Sequence, residues 1–134
     1  MDKEILFEDL KQPQDLFLLK DHLRELYRLI ERRYISVDFS ATPTFDCDEG
    51  DIFKITLTGN ITGITLKNAY QGRTITIIFL QDAIGSRTVA GWASNVKLAG
   101  AAFTVTSTAS VYSAITLTYT GSVWVEVARS LDIR

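Results

Sequence analysis

At Tyr34 the apolar residues of this chain change their period, and no other feature constrains the fold as strongly. Before it, Leu16, Leu19, Leu23, Leu26 and Ile30 recur at intervals of three, four, three and four. That is a narrow stripe along one side of an α-helix, and also the a/d spacing of a coiled coil. After it, "YISVDFS" sets Ile35, Val37 and Phe39 against Tyr34, Ser36 and Asp38, the two-residue repeat of a β-strand. A short helix draws most of its stability from packing its apolar side, so the stripe needs a cover. Other copies of the helix would supply one, and so would the chain's own sheet; spacing alone leaves both open.

The period divides the chain into three parts. Residues 1–12 are charged and unpatterned apart from Ile5, Leu6, Phe7 and Leu10, and are expected to form an anchoring arm. Residues 13–33 are the predicted helix. Pro13 suits its first turn, where a missing N–H costs nothing, and Arg32 and Arg33 suit its last, against the negative end of the helix dipole. Residues 34–134 are predicted to be a β domain. "DIFKITLTG", "ITGITLKNA", "RTITIIFLQD", "RTVAGWA", "NVKLAG", "AFTVTSTA", "SAITLTYTG" and "SVWVEVARS" follow one another as candidate strands. Gly59, Asn68, Gly72, Gly85, Gly100 and Gly121 separate them at roughly ten-residue spacing, the cadence of a sandwich or barrel. "RTITIIFLQD" is apolar on both phases and is expected to be a buried central strand. "YTGSVW" reads as a hairpin turn. The expected fold is therefore mainly β: an N-terminal helix, then an antiparallel sandwich or jelly roll.

Charge narrows the partners. Residues 1–50 carry twelve acidic and seven basic side chains, and residues 51–134 carry four and seven. The β part is mildly basic, without the dense cationic stripe that nucleic-acid binding demands. No apolar run approaches a membrane span, and acidic residues stand where a signal peptide would be basic. Assembly in a cytoplasm, with no membrane insertion, is the expectation.

Candidate chemistry is sparse. The one histidine, His22, falls beside the helical stripe, and the one cysteine, Cys47, lies among carboxylates that oppose its ionisation. Neither has the neighbouring base or nucleophile that covalent or acid–base catalysis needs, so the chain is read as a non-enzyme without a cofactor. "FDCDEGD" gathers Asp46, Asp48, Glu49 and Asp51, but Gly50 and Asp51 fall wrongly for a calcium loop. An acidic turn between strands is the better account, and no metal is expected. Four aromatics are candidate contacts for a saccharide or a protein partner: Trp92 in "AGWASN", Trp124, and Tyr70 and Tyr112 beside turns. Each is a flat apolar surface with a polar edge, and each equally suits a core. Trp124 is out of phase with Val123, Val125 and Val127, and is expected to face away from whatever they bury.

Three stretches carry a resemblance to a known family. "ATPTFDCDEGDIFKITLTGNIT", "GRTITIIFLQDAIGSRTVAGWASNVKLAG" and "VYSAITLTYTGSVWVEVARSLDI" are similar to a small β domain of bacteriophage and prophage virion proteins, most often met in tail fibres. The resemblance spans about residues 42–133. Leu98 stands where the family usually shows an aromatic, and "TYTGSVW" lacks the usual Asp before its glycine. The resemblance implies a trimeric structural module with no shared catalytic residues, often following a fibrous stalk.

With that module in view, Leu16, Leu19, Leu23, Leu26 and Ile30 are expected to form the seam of a homotrimeric coiled coil. The arm would dock on other virion proteins, and the β head would face outward, toward host cell-surface carbohydrate. A trimeric capsid decoration (cement) protein would have the same architecture, and a carbohydrate-binding module is a more distant alternative.

Overall fold

A computed structural model describes residues 13–31 and 34–134. The expected arm at 1–12, with Ile5, Leu6, Phe7 and Leu10, lies outside the described residues, as do Arg32 and Arg33. Contacts divide the chain into two compact units, 1–32 and 33–134.

In the first unit, α1 (Pro13–Glu31) starts at the expected proline. Along its stripe, Leu16, Leu23 and Leu26 are 47%, 46% and 46% exposed, and Leu19 is half-buried. The side chain of Ile30 is outside the described residues. Arg24 pairs with Asp21 at 3.7 Å with both side chains mostly in solvent, a pair worth little.

The second unit is mainly β. Its strands are β1 (Tyr34–Val37), β2 (Thr44–Asp46), β3 (Ile52–Leu57), β4 (Thr65–Lys67), β5 (Thr74–Gln81), β6 (Val96–Lys97), β7 (Tyr112–Tyr119) and β8 (Trp124–Ile133). Six form one sheet in the order β1-β3-β5-β7-β8-β6, and β2 pairs with β4 beside it. The expected purely antiparallel arrangement is corrected here. β1–β3, β3–β5, β2–β4 and β6–β8 are parallel, whereas β5–β7 and β7–β8 are antiparallel. The physical reason lies in the connections. Segments 38–51 and 58–73 are long enough for the chain to cross and return in the same direction. They carry β2 and β4, which pair in register as β1 and β3 do, so each turn of chain lies on the one before.

Burial follows the two-residue period. Phe53, Ile55 and Leu57 of β3, Ile75, Ile77 and Phe79 of β5, and Ile115 and Leu117 of β7 point inward and are fully buried. Phe45 of β2 meets Phe53 edge-on at 5.5 Å between ring centres, a favoured aromatic geometry. β5 lies inside the sheet, as its doubly apolar pattern predicts. "YTGSVW" is the β7–β8 hairpin turn, with Thr120 N–H donating to the Val123 carbonyl.

One polar side chain knits the core to the loops. Gln81, 2% exposed, donates through Nε2 to the carbonyls of Arg87 and Thr106, and its Oε1 accepts from Arg87 N–H. Every polar atom of the amide is occupied, the condition under which a buried amide is tolerated.

Trp124 contradicts its expected phase. It is 1% exposed, while Val125 and Val127 are 38% and 59% exposed. Apolarity alone makes the valines the expected buried set. The pairing of Trp124 with Tyr119 on β7 and with Val96 on β6 instead turns the indole inward, against the Tyr119 ring at 5.1 Å. The larger apolar side chain takes the core.

Candidate functional site: the Trp92 cleft

The segment after β5 has no regular ladder and is fixed by individual bonds. Val89 bridges to Ile61 in parallel. Ala90 N–H donates to the Ile61 carbonyl, and Ile64 N–H donates to the Gly91 carbonyl. The chain is thus pinned on both sides of Gly91, and Trp92 leaves that point half-buried. Its ring meets Phe79 and Phe103 edge-on, at 6.5 and 6.2 Å. Beyond Trp92 the chain turns through Ala93–Lys97 and a short 3-10 turn at Ala99–Ala101, and comes back at Phe103.

Between these two passes lies a cleft of about 620 Å³, with Trp92, Ser94, Lys97, Leu98, Phe103 and Thr104 in its lining. The volume is that of a small-molecule site. The lining combines aromatic surface with hydroxyls and one ammonium, a set able to stack on an apolar ring face and hydrogen-bond at its edge.

An ion pair on β8 braces the turn. Arg129 donates to Glu126 through Nε and Nη2, at 2.7 and 2.6 Å. Nη2 also reaches the carbonyls of Ala99 and Ala102, at 2.9 and 2.8 Å. Glu126 Oε1 accepts from Ala99 N–H, and the guanidinium lies 5.3 Å from the centre of the Phe103 ring. The Arg129 hydrogen bonds hold the Glu126 carboxyl below the usual carboxylate range, helped by Ala99 N–H, and Glu126 in turn raises Arg129.

A folded-state pKa below the unfolded one means the linkage is fully present above the ordinary carboxylate range and is lost as pH falls through the lowered value. Protection of the Ala99–Ala102 amides, with exchange taken relative to the intrinsic rate at each pH, is therefore expected to fall at acid pH before the core strands open. In Glu126→Gln that acid step should vanish from these amides. Persistence of the step would show that the brace does not hold the turn.

The four candidate contact residues are not brought together. Trp92 lines the cleft. Trp124 is withdrawn from any contact role by its burial, and is the strand partner of Val96, which lines the cleft. Tyr70, 55% exposed, is at a separate turn beside Arg73, and Tyr112, 37% exposed, is on the outward side of β7. Phe103, Lys97, Glu126 and Arg129 were not singled out from the sequence. Their spacing carries no motif, and only the fold juxtaposes residues 97–104 with β8.

The acidic turn is organised by a cation of the protein itself. Arg73 pairs with Asp51 at 2.7 Å and donates to the carbonyls of Cys47 and Gly50, both at 2.6 Å. Asp46 Oδ1 accepts from Asp48 N–H and from Asn68 Nδ2. Among the described residues no group of three or more His, Cys, Asp or Glu is placed to hold a metal ion. Cys47 is 2% exposed; burial is the main cause pushing its thiol pKa up, with Arg73 opposing. His22 is exposed on α1.

Residues 41–124, more than half of the chain, match the family model described as "Putative phage tail fibre C-terminal domain". No curated protein and no solved structure gives a match.

Proposed function

Since this chain belongs to the phage tail fibre C-terminal domain family, we propose that it is a non-enzymatic virion protein whose β head meets the host surface through the Trp92 cleft. In this reading the ligand is a cell-surface saccharide, the helices of three copies form a short stalk through Leu16, Leu19, Leu23, Leu26 and Ile30, and residues 1–12 attach it to other virion proteins. The observation that carries the ligand is the cleft itself, an aromatic wall from Trp92 with Ser94, Lys97 and Thr104 beside it. Pyranose rings present a C–H face and a hydroxyl edge, and that pairing suits such a lining. The stalk rests on a/d spacing over about two heptads and on exposed leucines along it.

Purified full-length protein should bind polysaccharide extracted from the envelope of a susceptible bacterium. Loss of one stacking and packing contact is worth about 1–3 kcal/mol, so Trp92→Ala should weaken binding by roughly ten- to a hundredfold. Lys97→Ala, at an exposed position that leaves the core intact, should weaken it less. Undiminished binding by both variants while the head stays folded would remove the cleft from the reading.

A further inference from the structure

We propose that the outward side of the six-stranded sheet is the surface through which the heads of separate copies of this chain pack on one another. The inference rests on the self-assembling reading above, but it concerns the heads and not the helices. The register puts Leu80, Tyr112 and Ile133 in one row across β5, β7 and β8. Ile78 and Ala114 stand opposite each other in the next. Tyr112 and Ile133 are 37% and 39% exposed, and Val125 and Val127, further along β8, are 38% and 59% exposed. These are large apolar side chains on a sheet whose other side already forms a complete core.

The polar groups of this surface are prepared for cover. Thr74 and Thr118 share a hydroxyl hydrogen bond at 2.8 Å, and Thr76 and Thr116 share one at 2.9 Å. In each pair one hydroxyl donates to the other, so covering the two together leaves one O–H to find an acceptor instead of two. Lys54 is the one charged side chain among the outward positions of β3, β5 and β7. Such a surface has no charge pattern to select an oppositely charged partner, and little like-charge repulsion to keep its own copy away.

Area and connectivity favour copies of the same chain over a free partner. Five strands about 4.8 Å apart and seven residues deep cover roughly 500 Å², below the roughly 800 Å² per partner of a standard interface. That is too little for firm association from dilute solution. It is ample for partners tethered together, for which the effective concentration is on the order of millimolar. Two residues separate Glu31 at the end of α1 from Tyr34 at the start of β1. Helices that associate in parallel would therefore deliver their heads to each other at that concentration.

Cysteine accessibility tests the proposal, because Cys47 is buried and an introduced surface thiol reports alone. Full-length Thr116→Cys carries the reporter on the proposed surface, and Thr108→Cys, exposed in a loop, carries it elsewhere. Thr116 is half-buried in the single chain and Thr108 is exposed, so protection is read as the change in their rate ratio with assembly. Relative to Thr108→Cys, Thr116→Cys should react with a maleimide on the order of tenfold more slowly in the assembled protein than after dilution to monomer. A ratio that does not change with concentration would overturn the proposal. Native mass spectrometry of Leu23→Glu reads the stalk separately. Dissociation by Leu23→Glu, with Thr116→Cys reactive in the intact assembly, would keep the stalk and sink the head contact. Assembly and protection that both survive Leu23→Glu would do the reverse.

Discussion

Gly91→Ala is expected to destabilise the folded head severely, while Gly72→Ala costs it little. Both glycines have left-handed backbone, with φ of 83° and 86°, so an added Cβ strains each by about 1–2 kcal/mol. Their surroundings differ. At Gly72 an added Cβ meets nothing within 4 Å, whereas at Gly91 it would stand 2.0 Å from the Thr62 carbonyl oxygen and 2.6 Å from the Gly63 Cα. Those are backbone atoms of the neighbouring turn of chain, held by the Ala90–Ile61 and Ile64–Gly91 hydrogen bonds, and they cannot swing aside as a side chain would. The two turns must separate at the point that delivers Trp92 to its cleft. A cost of roughly 4 kcal/mol or more is expected, in the range reserved for severe backbone or core disruption. Chemical denaturation of the two variants checks it; comparable midpoints for Gly91→Ala and Gly72→Ala would refute the close-approach argument.

Trp124→Ala should be the most damaging of the side-chain truncations. The indole is 1% exposed and packs on Tyr119, and its backbone ties the two-residue β6 to β8 through Val96 and an N–H bond to the Asn95 carbonyl. Removing a buried Trp side chain typically costs about 3–5 kcal/mol, a large part of the 5–15 kcal/mol of a typical domain. Trp92 is the other tryptophan of the chain, so its fluorescence in the variant reads the cleft directly. An emission shifted to that of a solvated indole at denaturant concentrations where the native head is intact is expected. An unchanged denaturation midpoint would contradict the core role that the burial of Trp124 implies.

The strands themselves were legible in the sequence because alternation is written residue by residue. "DIFKITLTG" and "RTITIIFLQD" contain β3 and β5, "SAITLTYTG" all of β7 but Tyr112, and "SVWVEVARS" the start of β8. Their direction of pairing was not, because parallel and antiparallel ladders share the same two-residue period. Two expected strands dissolved for a related reason. "RTVAGWA" keeps a single bridge at Val89, and "AFTVTSTA" buries Phe103 and Val105 without joining a ladder, so burial alone produced their alternation. The inward side of β8 at Trp124 was not legible because Trp124 and the valines are apolar on both phases. Only the pairing of Trp124 with Tyr119 and of Val125 with Thr118 decides which phase faces the core. Of the cleft, Trp92 was visible as an aromatic in a glycine-bounded loop. Glu126 and Arg129 were invisible, since their role depends on a turn 27 to 30 residues earlier in the chain.

The identity as a tail-fibre component is tested most directly on the particle. Gold-labelled antibody raised against the β head, applied to intact virions, should decorate the tail, at the far ends of its fibres or spikes, and leave the capsid bare. Label distributed over the capsid faces would contradict the account and make this architecture that of a decoration protein.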